Sequence, residues 1–205
     1  MNDRNDDLIR DLARVTDPTP DKLIELHARL AADAQRDGIL DVAYRIIDSP
    51  VGTLLLAATE RGLVRVAYAS EGHDTVLQTL ADKVSPRILH APARLDAVAC
   101  ELGEYFGGTR RSFDVSLDWR LAAGFRSTVL QHLPDIRYGH TASYAAVARL
   151  AGNPKAVRAV GSACATNPLP VVVPCHRVVR SDGALGGYLG GVDAKRVLLT
   201  LESAA

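Results

Sequence analysis

No stretch of this 205-residue sequence holds the roughly 18 consecutive apolar residues that span a bilayer, so no membrane partner is expected. Its polar start, MNDRNDD, does not read as a secretory leader. Cysteine is scarce: Cys100, Cys164 and Cys175 are an odd number at irregular spacing. That fits neither a disulfide framework nor paired Cys-x-x-Cys zinc ligands, and it points to a reducing cytoplasm. Phosphate-binding fingerprints are lacking too. GALGGYLGG is glycine-rich, but it contains no G-x-x-x-x-G-K-[ST] and follows no βα turn, so no nucleotide cofactor is expected. What remains is an ordinary globular composition, 47% hydrophobic and 23% charged, long enough for one domain or two small ones.

Net charge is formally zero, which by itself argues against nucleic acid, but the charges are unevenly placed. Residues 1–40 carry six Lys/Arg against nine Asp/Glu, residues 41–137 eleven against twelve, and residues 138–205 seven against three. The last third is therefore net positive by four, the local basic surface that phosphate binding requires.

The chain divides by pattern into three parts. Residues 1–40 read as a helical extension whose role the sequence leaves open. Leu8, Ile9, Leu12 and Val15 share a face, TDPTPDK interrupts, and a second helix starts at Thr19-Pro20 and stops at Gly38. Residues 41–116 read as a small α/β domain: a three-strand meander punctuated by Ser49-Pro50, Gly52 and Arg61-Gly62, then two helices. Cys100 lies within the second, beside Val98 and Leu102, and is expected to be a core thiol. Residues 121–205 read as mostly helical. There, two short helices joined by AGNP, with Pro154 opening the second, have helix-turn-helix spacing and place Lys155 and Arg158 where a recognition helix meets DNA. A generic helical hairpin has the same pattern.

Chemistry concentrates in NPLPVVVPCHRVV, residues 167–179. Three prolines keep the segment out of a helix and the valines favour burial, giving a rigid platform that ends in a thiol. Cys175 is open to four readings there: core thiol, metal ligand, redox group or nucleophile. Zinc is disfavoured because adjacent Cys175 and His176 can hardly share one ion and Cys164 has no paired partner, so no metal is expected. Adjacent side chains diverge in either a strand or a helix, so thiol and imidazole would communicate through a bridging water, with a third group behind the histidine. Glu202, beside the apolar face of the last helix, is a candidate for that group; a solvated terminal glutamate is the alternative. The loop RSDGALGGYLGG permits close approach by a ligand, and its Tyr188 could wall in a base-sized ring.

PCHRVV in this setting resembles the O6-alkylguanine-DNA alkyltransferases, the methylated-DNA–protein-cysteine methyltransferases. The likeness runs through residues 138–202 and, more faintly, through SPVGTLLLAATERGLVRV and LGEYFGGTRRSFDV, covering roughly residues 41–203. It implies an α/β fold class: a ribonuclease-H-like N-terminal domain, then a helical, winged helix-turn-helix-like alkyltransferase domain. It implies DNA repair in a single turnover, with the alkyl group of O6-alkylguanine, and of O4-alkylthymine, moved to Cys175 in a flipped-out nucleotide. His176 would act as base through water, Glu202 would complete the relay, and Asn167 would brace the loop. Tyr144 would turn the target phosphate and protonate the leaving guanine. Arg158 would replace the flipped base in the stack, with Lys155 and Ala159 also at the DNA, while Val178, Tyr188, Leu189 and Pro170 would line the guanine pocket. The expected partner is double-stranded DNA containing O6-alkylguanine, met by a monomer without cofactor.

Arg126, Leu130 and Arg137 depart from the family's usual residues, changes that touch packing between the domains more than chemistry. Two other readings stand beside repair by transfer. One is a lesion-binding protein that flips alkylguanine without transfer, against which the presence of Cys175 argues. The other is a cysteine hydrolase or thiol-redox protein, disfavoured by the adjacency of Cys175 and His176 and the lack of a nearby resolving cysteine.

Overall fold

The computed structural model describes residues 19–203; the first amphipathic stretch, with Leu8, Ile9, Leu12 and Val15, lies outside them. Helix α1 (Pro20–Arg36) begins where expected: the Thr19 hydroxyl accepts from Lys22 N at 3.4 Å and Pro20 opens the first turn. Gly38, at φ +68°, carries the chain out of it.

The meander follows as β1 (Val42–Ile47), β2 (Leu54–Thr59) and β3 (Gly62–Tyr68). A fourth strand not read from the sequence, β4 (Ile88–His90), pairs parallel to β1, so the sheet order is β3-β2-β1-β4. The run LLLAAT does not alternate because β2 is central and buried on both faces. Leu55 and Ala57 meet Val76 and Leu80 of α2 (His73–Lys83) on one side. Leu54, Leu56 and Ala58 join the main core on the other. That core continues into α3 (Asp96–Phe106) and the C-terminal helices, so both halves of the chain share one apolar interior.

One expectation fails in α3. Its buried face is Val98, Leu102 and Tyr105, and Cys100 falls roughly 200° around the helix from Val98. Cys100 is therefore exposed, its thiol 3.7 Å from Glu104 Oε1, and is no core thiol.

The C-terminal unit begins with α4 (Gly124–Gln131), which ends sooner than its apolar pattern suggests because Pro134 forces a 3-10 turn. The helical hairpin is α5 (Tyr144–Leu150), capped by Ser143, and α6 (Val157–Ala165). Pro154 does not open the second helix. It lies in a turn with Lys155, and α6 starts three residues later. Short strands β5 (Ala142–Ser143) and β6 (Val178–Val179) pair in parallel, and α7 (Gly191–Ser203) closes the fold. Among the described residues no helix is long and apolar enough to cross a membrane.

Candidate active site

Every residue from 167 to 179 is buried, but the valine run is not a strand. Val171 sits at φ +72°, a conformation costly for a β-branched residue, and Val173 N instead donates to Leu169 O at 2.8 Å. Pro174, at φ −81° and ψ 63°, makes an inverse γ-turn in which Cys175 N donates to Val173 O at 2.8 Å. The prolines thus set a compact path that enters a single 3-10 turn, Cys175–Arg177.

Asn167 holds this path together. Its Nδ2 donates to Val173 O at 2.8 Å and to Cys175 Sγ at 3.1 Å, and its Oδ1 accepts from Leu169 N at 3.0 Å. Burial pushes the Cys175 thiol up to about 11, opposed by the Asn167 hydrogen bond and the positive charge of Lys195. At rest the group is a protonated thiol, and something must take its proton before it can act as a nucleophile.

A base lies one residue on. His176 is fully buried, and its Nε2 is 2.8 Å from Glu202 Oε1. Burial opposes the Glu202 charge, yet the hydrogen bonds from His176 and Arg177 outweigh it and hold the carboxyl down to about 2. An ionised carboxylate only accepts, so the imidazole hydrogen sits on Nε2 and Nδ1 keeps the basic lone pair. Nδ1 is buried without a hydrogen-bond partner. Burial, partly countered by Glu202, keeps the ring from protonating, leaving a neutral base. Among the described residues no hydrogen bond joins the thiol directly to the imidazole.

Three residues that the sequence reading passed over complete the site. Arg177 grips Glu202 through Nε, at 3.0 and 3.2 Å, and through Nη2 at 3.0 Å, while its Nη1 donates to Ile136 O at 2.7 Å. Tyr105, brought from the N-terminal half by α3, donates to Glu202 Oε1 at 2.7 Å. Lys195 is fully buried and donates to the carbonyls of Val178, at 2.6 Å, and Leu185. A buried carboxylate demands a cation, so Arg177 could have been sought next to His176. Nothing local marks Tyr105.

The other expected residues fall into three groups. Tyr144 opens α5, and its hydroxyl lies 3.0 Å from where a Cβ on Gly186 would stand, so the glycine loop passes directly over it. Burial raises its phenol above the ordinary value, and Tyr144 stays a proton donor at neutral pH. Tyr188 packs edge-on to His176, with ring centroids 6.3 Å apart, and Val178 and Pro170 are both buried. Leu189 instead lines a cleft of about 600 Å³ between the two halves, with Asn167, Pro168, Arg65 and Arg126. Arg158 and Ala159 are exposed at the start of α6, whereas Lys155, expected on the same helix, is exposed in the turn before it. Arg126 donates to Leu121 O and, at 3.5 Å, to the Thr166 hydroxyl, both within the C-terminal unit. No group of three or more His, Cys, Asp and Glu placed to hold a metal occurs among the described residues.

Comparison with known proteins divides the chain similarly. Residues 42–119 match the family model of the 6-O-methylguanine DNA methyltransferase ribonuclease-like domain, and residues 124–204 that of the DNA-binding domain. The methylated-DNA–protein-cysteine methyltransferase of Mycobacterium bovis is 40% identical over 167 residues, spanning 78% of this chain and 92% of that protein. The constitutive enzyme of Bacillus subtilis is 37% identical over 164 residues, 78% of this chain and 94% of that one. Among solved structures, Mycobacterium tuberculosis OGT in complex with DNA superposes with a TM-score of 0.67 at 37% identity, covering 79% of this chain and 93% of that one.

Proposed function

This chain belongs to the methylated-DNA–protein-cysteine methyltransferase family, and we propose that it repairs duplex DNA by moving the alkyl group of O6-alkylguanine onto its own Cys175. The observation that carries this reading is the neutral, buried His176 with Nε2 committed to Glu202 and Nδ1 free, one residue from a thiol that Asn167 already contacts.

The thiol proton passes through a water to His176 Nδ1, and Glu202 stabilises the imidazolium that results. The thiolate attacks the alkyl carbon in line. A carbon–sulfur bond forms, the carbon–O6 bond breaks, and its electron pair returns to the purine. Tyr144 supplies a proton at N3 of the departing guanine, which makes it a better leaving group. A thioether has no easy route back to the thiol, so each chain acts once, as a monomer on one lesion. O4-alkylthymine, with a comparable alkyl ether on a ring carbon, is a second substrate.

A base in a duplex is out of reach of a buried thiol, so the nucleotide leaves the stack at a cost of a few kcal/mol. Exposed Arg158 fills the gap from α6, Lys155 and Ala159 lie beside it on the DNA, and Tyr188, Val178 and Pro170 wall the pocket. In this division of labour residues 121–205 bind DNA and carry the reaction, residues 41–116 brace them, and residues 1–40 form an extension.

The test uses a duplex carrying O6-methylguanine with a radiolabelled methyl group. Label should leave the DNA and appear in wild-type protein, and should stay on the DNA with Cys175→Ala. Retention of all label on the DNA by folded wild-type protein would overturn the proposal, and lesion binding without loss of label would point to a flagging role instead.

A further inference from the structure

β3 is an edge strand, and its open side is closed first by the segment at 116–118 and then by the loop at 167–168 of the C-terminal half. Leu63 N donates to Ser116 O and Asp118 N to Leu63 O, each at 2.8 Å, and further along Val66 N donates to Pro168 O at 2.8 Å. From between these contacts Arg65 reaches the same loop. Its Nη1 donates to the carbonyls of Val66 at 3.1 Å, Pro168 at 3.2 Å and Asn167 at 3.4 Å, while Nη2 bonds the Glu71 carboxylate. Glu71 is itself anchored, accepting from Tyr68 N at 2.9 Å. The two side chains are only 15% and 17% exposed, so water screens the pair weakly. A planar guanidinium can hold a carboxylate on one nitrogen and carbonyls on another, an arrangement that few other side chains could supply.

The loop under Arg65 is the one that presents a hydrogen-bond donor to the thiol. The Asn167 carbonyl faces Arg65 while the same residue's amide lies 3.1 Å from Cys175 Sγ. A polar chain therefore runs from Glu71 through Arg65 and the backbone at 167–168 to Asn167 and the sulfur, linking the sheet of one half to the reacting atom of the other. We propose that Arg65, braced by Glu71, is a positioning residue for alkyl transfer: it pins the backbone at 167–168 so that Asn167 keeps its amide on Cys175. The proposal rests on the reading of Cys175 as acceptor. Arg65 touches neither the thiol nor the DNA base and acts through Asn167.

The full chain and its Arg65→Ala, Glu71→Gln and double variants are compared in two reactions. One is transfer from free O6-benzylguanine, which needs no DNA contact. The other is alkylation of Cys175 by iodoacetamide, followed by peptide mass over roughly pH 8 to 12.5, a span that brackets the raised value of this buried thiol, about 11. Each single variant should lose about tenfold in benzyl transfer and raise the pH midpoint of iodoacetamide labelling by about one unit, the weight of one hydrogen bond to the thiolate. The double variant should be no slower than Arg65→Ala, because the two residues act as one unit. A merely structural role would lower Tm and leave the pH midpoint where it is in wild type. Wild-type rates and midpoint in folded variants would overturn the proposal, as would additive losses in the double variant. Should Arg65→Ala fail to fold, Glu71→Gln decides by the same two readouts. Failure of wild type itself to accept the benzyl group would strike the acceptor reading instead, and the iodoacetamide midpoint would still decide the role of Arg65.

Discussion

Glu202 keeps a full charge where almost no water reaches it. His176, Arg177, Tyr105 and the Gly139 amide, the last at 3.3 Å, all donate to its two oxygens. The sign of the resulting pH dependence follows from the direction of its shift. A carboxyl held down to about 2 when folded, against an ordinary 4.5, adds stability that is complete above 4.5 and is lost as pH falls toward 2. His176, lowered from 6.5 by burial, acts in the same direction: the unfolded chain takes up its proton below 6.5 and the folded chain resists. Urea midpoints of wild type should therefore begin to fall below about pH 6.5 and steepen below 4.5. Glu202→Gln should lose about 3 kcal/mol at neutral pH by stranding Arg177, flatten the acid limb below 4.5, and slow transfer about a hundredfold. Unchanged transfer in the Glu202→Gln variant would remove Glu202 from the relay. The helix-face pattern made Glu202 only a candidate partner for His176, beside a solvated terminal glutamate, and it was the resemblance to the alkyltransferases that paired the two. Arg177 was not sought, although it adjoins the histidine. Tyr105 could not be found locally, being 97 residues from Glu202 in the chain.

At the scale of elements, the glycine loop shows how little of its purpose a composition reveals. Of its glycines, Gly190 is confined: a Cβ there would stand 2.5 Å from the Tyr68 ring, whose hydroxyl is 2.9 Å from that of Tyr188. Gly187 meets nothing within 4 Å. Gly190→Ala should cost about 1–3 kcal/mol by forcing the loop off β3, seen as a lower thermal midpoint. Gly187→Ala should stay within about 0.5 kcal/mol of wild type, and equal effects at both positions would contradict this view of the loop. From the sequence the loop looked like a place for a ligand, and no period could show that its tyrosine meets one 120 residues earlier. The valine run is a related case. Its β-branched residues favour a strand locally, but the three prolines and the tertiary contacts of Asn167 impose a compact turn with Val171 at positive φ. Periodicity served best where a face is buried along an entire element, as in β1 to β3 and α2, and failed at Cys100, where neighbouring apolar residues were mistaken for a shared face.

Across the whole molecule, two patterned halves share one core, with β3 as the seam between them. On one face of the sheet, Leu54, Leu56, Val66 and Tyr68 join the same cluster as Val173, Cys175 and Leu198. Along its edge, backbone and Arg65 contacts hold the loop at 167–168. Cys175 is thus held in place partly by the N-terminal domain, through Arg65 and the loop at 167–168, and the uneven charge of the chain leaves its last third net positive. The central claim is that Cys175 accepts one alkyl group and is then spent. It is tested most directly by incubating the full chain with a severalfold molar excess of O6-methylguanine duplex, then weighing the intact protein and its Cys175 peptide. The expected result is a gain of one methyl group per chain, confined to that peptide, with repair stopping when the protein is exhausted. An unmodified Cys175 peptide, a methyl group elsewhere, or repair continuing beyond one lesion per chain would contradict it.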